Sequence, residues 1–240
     1  VGYDLFGLQA LEKYKAENIN TDYVLTDPKR PSGVALISVD KHGENCIIVA
    51  AGANATLTQD DIDKAKDEIM TADVLLMQLE IPLEIAEYAA KKANEKGVKV
   101  ILNPAPASYV TDSFLKNVHT ILPNRVEAEM LSGIKVTDEA SAQRAAEAIC
   151  NKGIENVVIT LGADGAFLKT PTETLLIPAV EAETIDTTGA GDVFCGAFCV
   201  YLSEGYSLKE CVEFANAAAA IATTRIGAQT VIPFRPEVRI

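Results

Sequence analysis

Apolar positions in this chain fall into two recurring patterns. Short runs rich in Val, Ile and Leu occur at residues 74–79, 98–102, 119–122 and 157–161. Runs of that length fit strands buried on both faces, as in a parallel sheet. Between and after them, apolar residues recur at helical spacing around residues 127–131 and over 139–151, 192–203 and 208–223. Pro82 opens one more helix, at a first-turn position where its missing N–H costs nothing, and Gly97 stops it. Strands alternating with helices of this length predict an α/β fold, a parallel sheet covered by helices. Ligands then bind at the carboxyl ends of the strands.

One segment breaks the alternation. Residues 33–39 and 45–49 read as two strands joined by Asp40-Lys41-His42-Gly43-Glu44, a β-hairpin. It forms either a small β lid or an edge hairpin of the main sheet. The expected division is therefore an α/β domain made of residues 1–30 and 52–240, with residues 31–51 as a lid segment. The first residues enter a helical pattern almost at once.

Composition narrows the partners. Of 240 residues, 48% are hydrophobic, enough for a sizeable core, and 21 Lys plus Arg against 34 Asp plus Glu give a net charge of -13. Such a surface disfavours nucleic acid and anionic membranes, which demand neutralisation by Lys and Arg. No apolar run reaches the roughly 20 residues that span a bilayer. The start, Val1-Gly2-Tyr3-Asp4, has no basic region followed by an apolar stretch. Five cysteines without a Cys-x-x-Cys pair read as reduced thiols of a cytoplasmic protein.

The strongest chemical signal is Asp186-Thr187-Thr188-Gly189-Ala190-Gly191-Asp192, leading into an apolar helix. Glycines before a helix offer free N–H groups at its N-terminus, an anion site, and Asp192 in the first turn can take a proton from a hydroxyl. The same Asp also serves simply to complement the helix dipole. A Rossmann fingerprint is excluded because Phe194 stands where its third Gly belongs, and a Walker loop because the chain has no Gly-Lys pair. Asn124 and Glu127 follow the run at 119–122. They suit either a carboxylate organising hydrated Mg²⁺ or a capping box. Thr160-Leu161-Gly162-Ala163-Asp164-Gly165 lets a nucleotide approach the backbone, or is an ordinary tight turn. Glu80 ends an apolar run, where it accepts bonds from substrate hydroxyls or faces water. Cys195 and Cys199, one turn apart, read as packing.

Together these motifs resemble the ribokinase-like sugar kinase family. The Asp-Thr-x-Gly-Ala-Gly-Asp signature is complete at 186–192. Gln78-Leu79-Glu80, Asn103-Pro104-Ala105-Pro106, Pro123-Asn124-x-x-Glu127, Thr160-Leu161-Gly162 and Arg225-x-Gly227-Ala228-Gln229 follow the family's order. The resemblance implies a three-layer α/β/α ribokinase-like fold and transfer of the γ-phosphoryl of ATP to the 5-hydroxyl of ribose. Other acceptors (deoxyribose, fructose, adenosine), or a non-catalytic sugar- or nucleotide-binding regulator, are the alternatives. It implies Asp192 as base and Gly189, Ala190 and Gly191 as the anion hole. Glu80 and Asp192 would bind the sugar. Asn124, Thr160, Gly162, Ala163, Asp164, Gly165, Gly191 and Asn216 would bind ATP, and Glu127 would hold the Mg²⁺ shell. A K⁺ or similar ion would take the Asp186 carboxylate and carbonyls of Thr188, Ala222, Arg225 and Gly227. The lid would make a homodimer contact.

Two departures stand out. Where members place a hydroxyl ligand for the cation, this chain reads Thr230-Val231-Ile232-Pro233, so Thr230, a carbonyl or a water would substitute. The family's opening strand and Gly-Gly-x-Gly-x-Asn substrate loop are not among these residues. The sequence is therefore expected to begin after them and, alone, to lack part of the sugar pocket.

Overall fold

A computed structural model of the chain describes residues 1–39 and 45–239, with the side chains of residues 37–48 left aside. The expected loop at 40–44 lies outside the described residues. The chain divides into two compact units, one of residues 1–68 and 80–89, the other of residues 69–79 and 90–240.

The first unit opens with α1 (Leu5–Ala16), capped by Asp4, whose side chain accepts from the Gly7 N–H at 2.8 Å. The same carboxylate accepts from the backbone N–H and hydroxyl of Ser32, at 2.7 and 2.8 Å, and so binds the chain's start to residue 32. β1 (Val34–Val39) and β2 (Asn45–Ala50) pair antiparallel from Val34↔Ala50 to Val39↔Asn45. They form a two-stranded sheet of their own, not an edge of the main sheet. Two short helices follow, α2 (Gln59–Lys64) and α3 (Lys66–Thr71), the latter running into the second unit. The boundary between the units also falls inside α4 (Leu83–Asn94).

The second unit holds a six-stranded sheet in sequential order. β3 (Val74–Met77), β4 (Lys99–Leu102), β5 (Thr120–Ile121) and β6 (Asn156–Thr160) are parallel. β7 (Ala166–Lys169) and β8 (Thr174–Ile177) complete the sheet antiparallel. Along the chain α4 lies between β3 and β4, followed between later strands by α5 (Asp112–Leu115), α6 (Arg125–Ser132) and α7 (Glu139–Cys150); α8 (Ala190–Ser203) and α9 (Leu208–Thr223) come last. The expected 208–223 helix is α9 to the residue, set by a capping box between Ser207 and Glu210.

Side-chain alternation separates the two faces of the sheet. Ile101, Leu122, Val158, Ala166 and Leu168 pack in one buried cluster with Phe194, Phe198, Val212 and Ala215 of α8 and α9. Val157, Ile159 and Phe167 alternate with these and are also buried, while α7 packs on β6 and β7. Helices therefore flank a mainly parallel sheet, as the apolar runs predicted. Among the described residues no helix is long and apolar enough to cross a membrane.

Candidate active site at the carboxyl ends of the strands

Four parallel strands end on one edge and deliver Gln78, Asn103, Asn124 and Leu161 in strand order. The ladder continues past the strand ends. Asn103 N–H donates to the Met77 carbonyl at 2.9 Å, Leu79 N–H to the Ala105 carbonyl at 2.8 Å, and Thr160 N–H to the Pro123 carbonyl at 2.9 Å. The backbone carrying these side chains is thus fixed.

The N-terminus of α8 meets this edge. Gly189, its N-cap, is left-handed at φ 75°, a conformation only glycine adopts at no steric cost. Asp192 is exposed in the first helical turn, where amides lack intrahelical acceptors. A Cβ at Gly191 would meet nothing within 4 Å, so internal packing does not require glycine there. Open backbone beside a helix N-terminus suits close approach of an anion.

Gln78 Nε2 donates to Asp192 Oδ1 at 3.0 Å and to Asn103 Oδ1 at 3.5 Å, and Asn103 Nδ2 donates to the Leu122 carbonyl at 2.9 Å. With Leu76, Met77 and Cys195, these residues line a cavity of about 270 Å³. A larger apolar hollow of about 360 Å³ also reaches Asp192 and Gly189, and is walled by Val193, Ala197, Phe214 and Ile232. Asp192 borders both hollows.

Asn124 and Glu127 form the capping box in full. Asn124 Oδ1 accepts from the Glu127 N–H at 2.9 Å, while Glu127 accepts from the Asn124 N–H at 2.8 Å and its Nδ2 at 2.9 Å. Glu127 is 6% exposed. Burial pushes its carboxyl up, and the two Asn124 donors oppose that shift. Both oxygens keep a spare lone pair, which suits water around a metal better than direct ligation. Among the described residues no group of three His, Cys, Asp or Glu could hold a metal alone. A Mg²⁺ held largely by phosphates and water needs no such cage.

The segment at 160–165 is a tight turn between antiparallel β6 and β7. Leu161 N–H donates to the Gly165 carbonyl at 2.7 Å, and Gly165 N–H to the Gly162 carbonyl at 3.0 Å. Gly162, Ala163 and Asp164 are exposed and Gly165 is buried. Arg125, which no sequence motif singles out, braces this turn. Its guanidinium donates to Asp164 Oδ2 at 2.5 Å and to the Leu161 carbonyl at 3.2 Å. Asn216 on α9 is 8% exposed and donates to the Pro178 carbonyl at 3.0 Å, tying the helix to the end of β8.

Asp186 ties the loop before α8 to the segment after α9. Its carboxylate accepts from the N–H groups of Thr188 at 2.9 Å and Gly227 at 3.2 Å; the Thr188 side chain first, and then these two N–H groups, hold it below the usual carboxylate range. The N–H groups of Ile185 and Asp186 donate to the Thr223 carbonyl, next to Ala222. Arg225 N–H donates to the Ala222 carbonyl at 3.2 Å. Each carboxylate oxygen of Asp186 accepts one backbone N–H and keeps lone-pair capacity for a further partner. Thr230 turns its hydroxyl to the Ile226 carbonyl at 3.4 Å, and Val231 is buried. Glu80, just beyond β3, is exposed and belongs to the first unit.

A model described as pfkB family carbohydrate kinase matches residues 1–235. Ribokinase of Haemophilus influenzae is 43% identical over 237 residues, 99% of this chain and 78% of that one. The structure of Thermotoga maritima ribokinase superposes with a TM-score of 0.86 at 39% identity, over 99% of this chain and 77% of that one. Arabidopsis thaliana ribokinase, complexed with ribose and ATP, gives 0.88 at 30% identity, over 99% and 78%.

Proposed function

This chain belongs to the pfkB family of carbohydrate kinases, and on that premise we propose that it transfers the γ-phosphoryl group of ATP to the 5-hydroxyl of D-ribose. The products are ribose 5-phosphate and ADP. The single observation that carries the reading is Asp192 in the first turn of α8, beside a Gly191 that packing leaves free. The sugar is drawn from the relatives, ribokinases over nearly the whole of this chain.

In this reading the Asp192 carboxylate accepts the proton of the sugar O5–H as O5 forms its bond to the γ-phosphorus. The bond from that phosphorus to the β,γ-bridging oxygen breaks, and its electrons leave with ADP. Phosphoryl transfer asks mainly for positioning and charge stabilisation. The amides of Gly189, Ala190 and Gly191 take the charge developing on the phosphoryl oxygens. Asn124, Thr160, Gly162, Ala163, Asp164, Gly165 and Asn216 line the nucleotide's path, and Glu80 takes sugar hydroxyls. Glu127 would hold the water shell of a Mg²⁺ bound with ATP, which would supply neutralisation of phosphate charge. Asp186, with carbonyls of Thr188, Ala222, Arg225 and Gly227, would hold K⁺ and brace the loop before α8.

The β1–β2 hairpin serves as lid and dimer contact. Val34, Leu36 and Val49 are exposed on a two-stranded sheet, a structure that alone is marginally stable in water. A spectrophotometric assay coupled to ADP release tests the activity, with ribose, deoxyribose, fructose and adenosine compared at equal concentration. Preferred turnover of ribose supports the reading. Turnover of another acceptor with none of ribose overturns the choice of sugar.

A further inference from the structure

We propose that Gln78 and Asn103 are positioning residues for Asp192, an amide relay that fixes which carboxylate oxygen receives the proton. The inference rests on the reading of Asp192 as the base. The Leu122 carbonyl is a backbone group that can only accept. Asn103 must therefore present its Nδ2 to Leu122, at 2.9 Å, which leaves Oδ1 as the atom facing Gln78. An amide oxygen also only accepts, so Gln78 must present Nε2. One of its hydrogens goes to Asn103, and the other points to Asp192 Oδ1 at 3.0 Å. Neither amide is free to flip, because a flip would set oxygen against oxygen in each case.

The relay is built on rigid parts. Backbone bonds at Met77, Leu79, Asn103 and Ala105 clamp both amide-bearing segments to each other. Asp192 is held by its helix. With Oδ1 committed to Gln78, Oδ2 is the oxygen that accepts from the sugar hydroxyl. Without the relay the carboxylate rotates about its last bond, and the reactive arrangement becomes one among several. General-base catalysis depends on that placement.

The test is a double-mutant cycle. Gln78→Met keeps side-chain length and removes both donors. It should lower kcat about 10- to 100-fold, the range of one lost hydrogen bond to a charged group, with KM for ATP little changed. In an Asp192→Asn background the same change should cost nothing more. Asn103→Ala should lower kcat less than Gln78→Met and add nothing to it. Near-normal kcat in Gln78→Met beside a disabled Asp192→Asn overturns the relay and leaves the base standing. Near-normal kcat in Asp192→Asn overturns the base itself. A readout without turnover is ¹H–¹⁵N NMR of the Gln78 side-chain amide. Its two protons should be well separated in the native protein, and Asp192→Ala and Asn103→Ala should each shift one. Resonances indifferent to both substitutions overturn the relay.

Discussion

The carboxylate of Asp186 accepts the N–H of Gly227 at 3.2 Å across 41 residues of chain. Its other oxygen accepts from Thr188, at 2.9 Å. One side chain thus joins the loop that enters α8 to the segment that leaves α9. A cation on that carboxylate would stiffen the loop without touching substrate. Replacing Na⁺ by K⁺ at constant ionic strength should therefore raise kcat, and Asp186→Ala should abolish the difference. Equal rates in both salts would refute a cation at Asp186.

Gly162 and Gly165 separate two reasons for glycine in one turn. Gly162 has φ 63° and open space where a Cβ would stand, whereas a Cβ on Gly165, at φ 93° and ψ -133°, would lie 2.1 Å from the Ile177 carbonyl oxygen. Gly162→Ala should cost about 1–2 kcal/mol, the penalty of a left-handed residue, and remain folded. Gly165→Ala should lose far more, or fail to fold, because it meets rigid backbone. Thermal denaturation measures both. ATP affinity of the folded Gly162→Ala protein then tests whether nucleotide approaches this turn; an unchanged Kd removes Gly162 from the ATP site.

Much of this arrangement was legible in the sequence, and the gaps have physical causes. α9 was readable because apolar spacing carries through it; the Ser207–Glu210 capping box that sets its start emerged from the structure. The parallel strands were readable because burial on both faces leaves apolar runs. β7 and β8 were not, since four residues each, with β8 partly exposed, are too few to display a period. The Asn124–Glu127 pair was legible as a capping box, and the structure forms that box. The bond from Gln78 to Asp192 spans 114 residues, and no local pattern encodes it. Arg125 acts on a turn reached only after β6, so its role depends on the fold.

Acid should weaken the first unit through Asp4. Three donors, from Gly7 and Ser32, hold its carboxyl below the ordinary value of 3.8. A depressed folded value means that the contribution is fully present above the unfolded value and is lost as pH falls through the folded one. The Tm difference between the native protein and Asp4→Asn should be constant from neutrality to about pH 5 and shrink below pH 3.8. A difference that grows on acidification contradicts the sign.

Thiols in the core should be inert. Burial drives the Cys195 thiol well above its ordinary range, and pushes Cys199 and Cys211 up to about 12. The thiolate is the reactive species, so alkylation by iodoacetamide at pH 8 should spare all three until denaturant is added. Peptide mass mapping reads the outcome. Native-state labelling at the rate of a free thiol would show that the α8–α9 interface opens readily.

Asp192→Asn isolates the proton transfer. Asparagine keeps the shape, the place in the first turn and one acceptor oxygen able to meet Gln78. It removes the charge that draws the sugar proton. Loss of a general base typically costs roughly 10²–10⁴-fold in rate, and kcat should fall within that range. Nucleotide affinity should change little, because the amides of Gly189, Ala190 and Gly191 remain, and removing a negative charge beside the phosphates offsets the lost anchor. Equilibrium titration with ATP and single-turnover kinetics with ribose separate the two effects. A variant that binds ATP normally and turns over slowly assigns the loss to chemistry. One that loses ATP binding in proportion to kcat would move Asp192 from base to structural anchor.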